Sequence, residues 1–311
     1  MDAVDVKGAR VLVTGASGFI GGRLCRRLVE GGAEVHAVRW ASPLRDGAGL
    51  VEHRLDLTDE KAAGELYESV RPEVVFNLAS RVAGARDLEL LLPTFHANLA
   101  AAVYLMAAAA RHGCRRFVQI GSLEEPEGEA TAVPSSPYAA GKWAASGYGR
   151  MCHALYGLPI VFARLFMVYG PGQHDLKKLI PYTILSLARG ATPSFSSGSR
   201  PVDWVYVDDV VEGLLRLATA PGLEGRRLDL GSGTLHTVRQ VVESLFALLA
   251  PGTSPSFGGR EDRIMEQVRK ADLEATEKHL GWRPATPLEA GLRATVDWYL
   301  NAHPSGRQET P

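Results

Sequence analysis

The sequence predicts an α/β fold, a doubly wound parallel sheet carrying a smaller C-terminal lobe. Three observations lead there. Between Arg10 and Arg164, strand-like runs alternate with stretches of helical period, as strands and crossover helices do in a parallel sheet. The first run, Arg10-Val-Leu-Val13, leads into Thr14-Gly-Ala-Ser-Gly-Phe-Ile-Gly-Gly22, a glycine-spaced turn that opens a helix. Beyond Arg164 the alternation loosens, and the chain passes through Gly-, Pro- and Ser-rich segments before its last helices.

Taken in order, the strands of the first region fall at Val11–Thr14, Glu34–Val38, Val51–Leu55, Val74–Leu78, Phe117–Ile120 and Ile160–Arg164. The helices between them are Phe19–Glu30, Asp59–Val70, Thr94–Arg111 and Tyr138–Tyr156. The third helix is Ala-rich, which favours helix and permits close packing, and its interleaved Leu99, Val103, Leu105 and Met106 mark it as core rather than low-complexity chain. The fourth starts after a proline-marked loop. Past Arg164 the sequence predicts a helix near Leu176–Arg189, a strand at Val202–Val207, a helix at Asp209–Ala218, a strand at Arg227–Leu230, and helices near Thr237–Leu249 and Leu288–Tyr299. Residues 251–260 read as a loop and Pro304–Pro311 as a frayed tail. The domain division expected is 1–166 with 201–232 returning to it, and a substrate lobe of 167–200 and 233–303.

An apolar strand, then Gly15, Gly18 and Gly21, then a helix places a helix N-terminus where a pyrophosphate binds. Gly15 permits the tight turn, Gly18 removes a side chain at the approach, and Gly21 allows helix and strand to close up. The spacing is one residue wider than Gly-x-Gly-x-x-Gly. Tyr138 and Lys142 are four apart on one helix and share a face. A nearby ammonium stabilises phenolate, which makes Tyr138 a candidate proton donor and acceptor, its pKa lowered by Lys142. At the end of the second strand stands Arg39, where an NAD site usually carries an acid. A guanidinium there suits a 2′-phosphate, so NADP(H) is the expected cofactor, with NAD(H) possible.

Composition narrows the partners. Hydrophobic residues make up 46% and charged residues 22%, with a formal net charge of −1, which argues against disorder and against a nucleic-acid partner. Cys25, Cys114 and Cys152 stand singly, with no metal-ligand spacing around them, as do His96, His153 and His174. No stretch reaches the eighteen or more continuous apolar residues of a membrane span, and Met1-Asp-Ala-Val-Asp-Val-Lys7 lacks the charged and apolar regions of a signal peptide. The expectation is a reduced, cytoplasmic protein without a membrane partner.

The set Gly15/Gly18/Gly21, Asp56-Leu57, Asn77-Leu-Ala-Ser80, Ser122, Tyr138/Lys142 and Tyr169-Gly-Pro-Gly172 resembles the extended short-chain dehydrogenase/reductase family, the nucleotide-sugar epimerases, dehydratases and reductases. The resemblance runs from Arg10 to about Leu300 and implies a Rossmann-type sheet. It implies that Gly15, Ser17, Gly18, Phe19, Ile20 and Gly21 hold the dinucleotide, that Asp56 and Leu57 meet its adenine, and that Leu78, Ala79 and Ser80 line its path. Lys142 would bind the nicotinamide ribose, and Ser122 would hydrogen-bond the substrate oxygen whose proton Tyr138 exchanges. Arg81, Leu123, Met167, Arg200 and Arg263 fall where relatives meet the substrate, and Arg260 joins Arg200 and Arg263 as a candidate diphosphate clamp. A homodimer is implied through the helices bearing Val103, Ala107, Ala110 and 138–156.

Departures from the family pattern bear on the reaction. Met167 replaces an Asn, and Val202 replaces the Arg that precedes Asp203. A 4,6-dehydratase carries an acid and then a Glu after its Ser or Thr; here Leu123 replaces the acid while Glu124 keeps the second position as a possible auxiliary acid/base. The link from Ser122 to Tyr138 is also short. A 4-ketoreductase of a nucleotide-linked deoxysugar is the reading favoured, with a 4-epimerase, a 4,6-dehydratase, a reductase of another carbonyl compound or a non-catalytic NADP(H) sensor as alternatives.

Overall fold

Val11, Leu12 and Val13 are wholly buried in strand β1 (Arg10–Thr14), which lies at the centre of a seven-stranded parallel sheet. The structure, a computed structural model, describes residues 6–45, 47–82, 85–127, 132–262, 265 and 267–303. It divides into two units. The first comprises Met1–Leu165, Val211–Leu230 and Glu274–Trp282; the second comprises Phe166–Val210, Gly231–Leu273 and Arg283–Pro311.

In the first unit β1 is followed by α1 (Phe19–Glu30), β2 (Glu34–Arg39), β3 (Leu50–Arg54), α2 (Glu60–Val70) and β4 (Val74–Asn77). A helical run then passes through α3 (Leu91–Phe95), a wider π turn at His96–Ala100 and α4 (Ala101–His112). β5 (Arg116–Ser122), α5 (Pro137–Tyr156) and β6 (Ile160–Leu165) complete the alternation. The strand order is β3-β2-β1-β4-β5-β6-β9, so the sequence doubles back at β1, between β2 and β4. Strands buried on both faces read as continuous apolar runs, as Val74-Val-Phe76 of β4 and Ile160-Val-Phe-Ala163 of β6 do, while β5 is equally buried but carries Gln119 within it. The edge strand β3 reads Leu-Val-Glu-His-Arg and is largely exposed, which blunts the edge against pairing with another chain.

By length and composition alone, the helical run Leu88–His112 would span a membrane. Its Leu105, Met106 and Ala109 are instead buried in one core with Leu66, Tyr67 and Val70 of α2. The helix expected at Thr94–Arg111 is present but begins earlier and is broken by the π turn.

The second unit holds β7 (Met167–Tyr169), α6 (Leu179–Ala188) and β8 (Pro201–Tyr206). α7 (Val207–Thr219) leads back to the first unit and to β9 (Arg227–Leu230), after which β10 (Leu235–Thr237) and α8 (Val238–Leu249) belong again to the second. α9 (Leu273–Leu280) returns to the first, and α10 (Leu288–Ala302) closes the second. β8 pairs with β7 in parallel and with β10 antiparallel, and Trp204, Ile184, Leu245, Leu292 and Tyr299 pack as one core. Asp203, only 1% exposed, organises this unit by accepting hydrogen bonds from the backbone N–H groups of Ser232, Gly233 and Ala271 and from the Ser232 hydroxyl.

The expected return of 201–232 to the first domain is corrected. Only Val211–Leu230 returns, because β8 finds its partners in two three-residue strands too short to register as periodicity. Glu274–Trp282 returns as well: Thr276 Oγ1 donates to the Asp229 carbonyl at 2.9 Å, Gly281 O accepts from Arg216 at 2.6 Å, and Trp282 is 1% exposed. The tail at 304–311 lies outside the described residues.

Candidate active site

The glycine turn is built as a cradle. Gly15 has φ +68°, and a Cβ there would stand 2.9 Å from the backbone at Leu78 and Ala79. A Cβ on Gly21 would stand 2.2 Å from the Gly15 carbonyl oxygen. Gly18 is exposed at the N-cap of α1 with no side-chain cap, and the first turn holds no acid. Free N–H groups and the positive end of a twelve-residue helix therefore face outward where an anion fits. A dinucleotide pyrophosphate matches this donor set. Ser17, Phe19 and Ile20 are half-buried around it.

Behind the cradle runs a buried polar relay. The Thr14 hydroxyl donates to Asn77 Oδ1 at 2.8 Å, Asn77 Nδ2 donates to Gln119 Oε1 at 2.9 Å, and Ala79 N–H donates to Thr14 Oγ1 at 3.0 Å. These bonds tie β1, β4 and β5 together at their C-terminal ends and set Ala79 against Gly15. Asn98, in the π turn and 2% exposed, pins the next residues: its Oδ1 accepts from Arg81 N–H at 2.7 Å and from the Ser80 hydroxyl at 3.2 Å, and its Nδ2 donates to Arg81 O. Thr14, Gln119 and Asn98 are functional supports that sequence reasoning missed.

Other expected cofactor residues divide. Asp56 Oδ1 accepts from the backbone and hydroxyl of Thr58, a local turn that fixes its carboxylate, while Leu57 is buried in the core rather than presented to solvent. Arg39 is not an isolated strand-end cation: its guanidinium meets Glu52 of β3 at 2.5 Å.

Ser136 caps α5 by accepting from Ala139 N–H, and Pro137 occupies the first turn without sacrificing a hydrogen bond. The start of α5 is thereby fixed, and Tyr138 and Lys142 follow on one face. Tyr138 hydrogen-bonds the Ser122 side chain at the end of β5. Lys142, 3% exposed, donates from Nζ to the Ile120 carbonyl at 3.1 Å and lies 6.0 Å from the centre of the Tyr138 ring. Ser122 Oγ accepts from Glu124 N–H at 3.2 Å. The structure thus assembles Ser122, Tyr138 and Lys142, with the Glu124 side chain half-buried on the same turn and Leu123 buried.

The electrostatics correct one expectation. Burial pushes the Tyr138 phenol above its ordinary pKa; the Ser122 hydrogen bond opposes this, and the charges of Glu124 and Glu125 add to it. The phenol is thus raised where a lowered one was expected. Burial instead lowers Lys142 itself to about 8, opposed by the charge of Glu125.

In the second unit Met167 lies on β7 opposite Trp204, and its half-buried side chain packs against the apolar core. An Arg200 N–H donates to Gln267 O at 3.2 Å. Arg260 donates to the Tyr182 hydroxyl at 3.2 Å and stacks over its ring. Arg263 lies outside the described residues. Arg81 is exposed.

The NAD dependent epimerase/dehydratase family matches residues 11–231. A UDP-glucose 4-epimerase of Mycolicibacterium smegmatis is 32% identical over 94% of this chain and 99% of its own length. A probable dTDP-glucose 4,6-dehydratase of Sinorhizobium fredii is 32% identical over 94% of this chain and 93% of its own. Among solved structures, a Thermus thermophilus UDP-glucose 4-epimerase in complex with NAD superposes with a TM-score of 0.83 at 28% identity, covering 94% of this chain and 99% of that one.

Proposed function

The chain belongs to the NAD dependent epimerase/dehydratase family, and from that premise we propose that it reduces the C4 ketone of a nucleotide-diphosphate-linked deoxysugar. The observation that carries this reading is Leu123. Buried directly after Ser122, it offers no proton where elimination of water needs an acid, while Ser122, Tyr138 and Lys142 are all in place.

The bound dinucleotide supplies the hydride. Ser122 Oγ orients the substrate oxygen, and Tyr138 Oη gives that oxygen its proton as the carbonyl becomes an alcohol. Lys142, steadied on the Ile120 carbonyl, would hold the ribose of the dinucleotide with its remaining N–H groups and would offer its charge to the phenolate left on Tyr138. Glu124 is the group available to relay a proton back to that phenolate. Arg200, Arg260 and Arg263 supply cationic groups suited to a diphosphate.

Arg39 supports a preference for NADP(H) over NAD(H), with Glu52 as the internal competitor that a 2′-phosphate must displace. The test is consumption of NADPH or NADH with nucleotide-linked 4-keto-6-deoxysugars. One equivalent of NADPH oxidised per ketone is expected, and Arg39→Ala is expected to weaken NADPH about tenfold relative to NADH, the scale of one charged hydrogen bond. A 4-epimerase is the second reading, favoured by the name of the Mycolicibacterium relative. Interconversion of UDP-glucose and UDP-galactose without net cofactor consumption would establish it instead.

A homodimer and a cytoplasmic setting complete the proposal. Tyr148, Met151 and Leu155 are exposed along one face of α5, and Leu91, Leu92 and Phe95 are exposed on neighbouring α3. The half-buried stripe Val103, Ala107 and Ala110 runs along α4. A paired helical face of this kind buries well against a second copy. Light scattering is expected to give twice the chain mass; a monomer at micromolar concentration refutes it. Cys25, Cys114 and Cys152 are free thiols, as a reducing compartment favours.

A further inference from the structure

We infer that Glu125 is a positioning residue of the reacting centre: its buried carboxylate fixes Ser122 against the helix of Tyr138 and Lys142 and supplies the negative charge facing the Lys142 ammonium. The inference rests on the reading of those three residues as the reacting set.

Glu125 is 1% exposed. Its Oε1 accepts the Ser122 backbone N–H at 2.7 Å, and its Oε2 accepts the Ser146 hydroxyl at 2.8 Å. One carboxylate therefore ties the end of β5 to α5. Ser146 stands one helical turn beyond Lys142, so the tie reaches the face that carries the reacting side chains. Space for the carboxylate is provided by Gly121, where a Cβ would stand 2.5 Å from Glu125 Oε1. Buried acids are rare and costly unless paired.

Among the described residues, the charged and titratable groups that act on this pair include Glu124 on the same turn, Tyr138 on α5 and Arg227 at the start of β9, whose guanidinium also meets Glu127, the partner of Arg164 on β6. Burial raises the Glu125 carboxyl; the Ser122 N–H, the Ser146 hydroxyl, Lys142 and Arg227 act against it. Burial lowers Lys142 to about 8, and Glu125 is the charge that resists. Tyr138 is pushed upward, so Lys142 is the first of the two to lose its proton as pH rises. Deleting the charge at 125 lowers Lys142 further, and the alkaline fall in kcat/KM moves to lower pH.

Glu125→Gln tests this, because the amide keeps a hydrogen bond to each partner while losing the charge. The alkaline limb is expected to move down by about half to one pH unit, with kcat on the plateau within about threefold of the parent. A ¹⁵N NMR titration of Lys142, assigned through Lys142→Arg, is expected to move the same way. Gly121→Ala, whose methyl displaces the carboxylate, is expected to reproduce both shifts. In the unaltered protein the Lys142 signal is expected to show a second inflection where Glu125 takes up its proton. A variant that loses thermal stability and kcat equally at every pH, with the limb and the Lys142 titration unmoved, overturns the inference, as does a Lys142 signal without that second inflection. If no nucleotide sugar is turned over, the proposed reaction fails while the Lys142 titration still decides this point.

Discussion

Tyr138→Phe is expected to lower kcat by about 10³-fold, the contribution of a positioned acid/base, while the dissociation constant of the dinucleotide changes by less than about threefold. The reasoning is local. The phenol makes its hydrogen bond to Ser122, and Ser122 still accepts the Glu124 N–H when that bond is lost, so the turn after β5 keeps its anchor. The phenyl ring fills the same volume. What disappears is the one hydroxyl placed to give a proton to the substrate oxygen. Steady-state kinetics with fluorescence titration of the bound nicotinamide separates the two effects. A variant within tenfold of the parent kcat would remove Tyr138 from the mechanism.

Gly21→Ala is expected to abolish dinucleotide binding, a loss of about 100-fold or more, and to destabilise the chain by about 1–3 kcal/mol through overpacking. The added methyl would occupy a point 2.2 Å from the Gly15 carbonyl oxygen, a backbone atom that cannot rotate away. Relief requires the turn and the start of α1 to separate, which moves the N–H groups that meet the pyrophosphate. Titration of the dinucleotide and thermal unfolding, measured together, check both halves. Wild-type affinity in a folded Gly21→Ala protein would mean that the cradle does not hold the cofactor.

Much of this was legible in the sequence because it depends on local signals. Glycines at 15, 18 and 21 after an apolar strand specify a turn that almost nothing else requires, and Tyr138 and Lys142 meet because a helix repeats every 3.6 residues. What was not legible is set by register and burial. Arg39 reads as a lone cation, and only the parallel pairing of β2 and β3, which sets Ala37 beside Glu52, brings that carboxylate to it. Glu124 reads as a possible auxiliary acid/base and Glu125 carries no mark of its own; that the latter is buried follows from tertiary packing, and its one sequence signal is the glycine at 121. Asn98 carries no local mark in an apolar helix beyond being polar there. The inverted shift of Tyr138 has the same origin, since spacing reveals a neighbouring ammonium but not the desolvation that outweighs it.

The passage of the chain between its two units has a consequence for its synthesis. The parallel sheet lacks β9 until residue 230 has been made, and the packing of Trp282 and Thr276 onto it waits for residues 274–282. Until β9 arrives, β6 presents an unpaired apolar edge, the kind that nascent chains join by mistake. The N-terminal part therefore cannot complete its unit until residues 274–282 have been made.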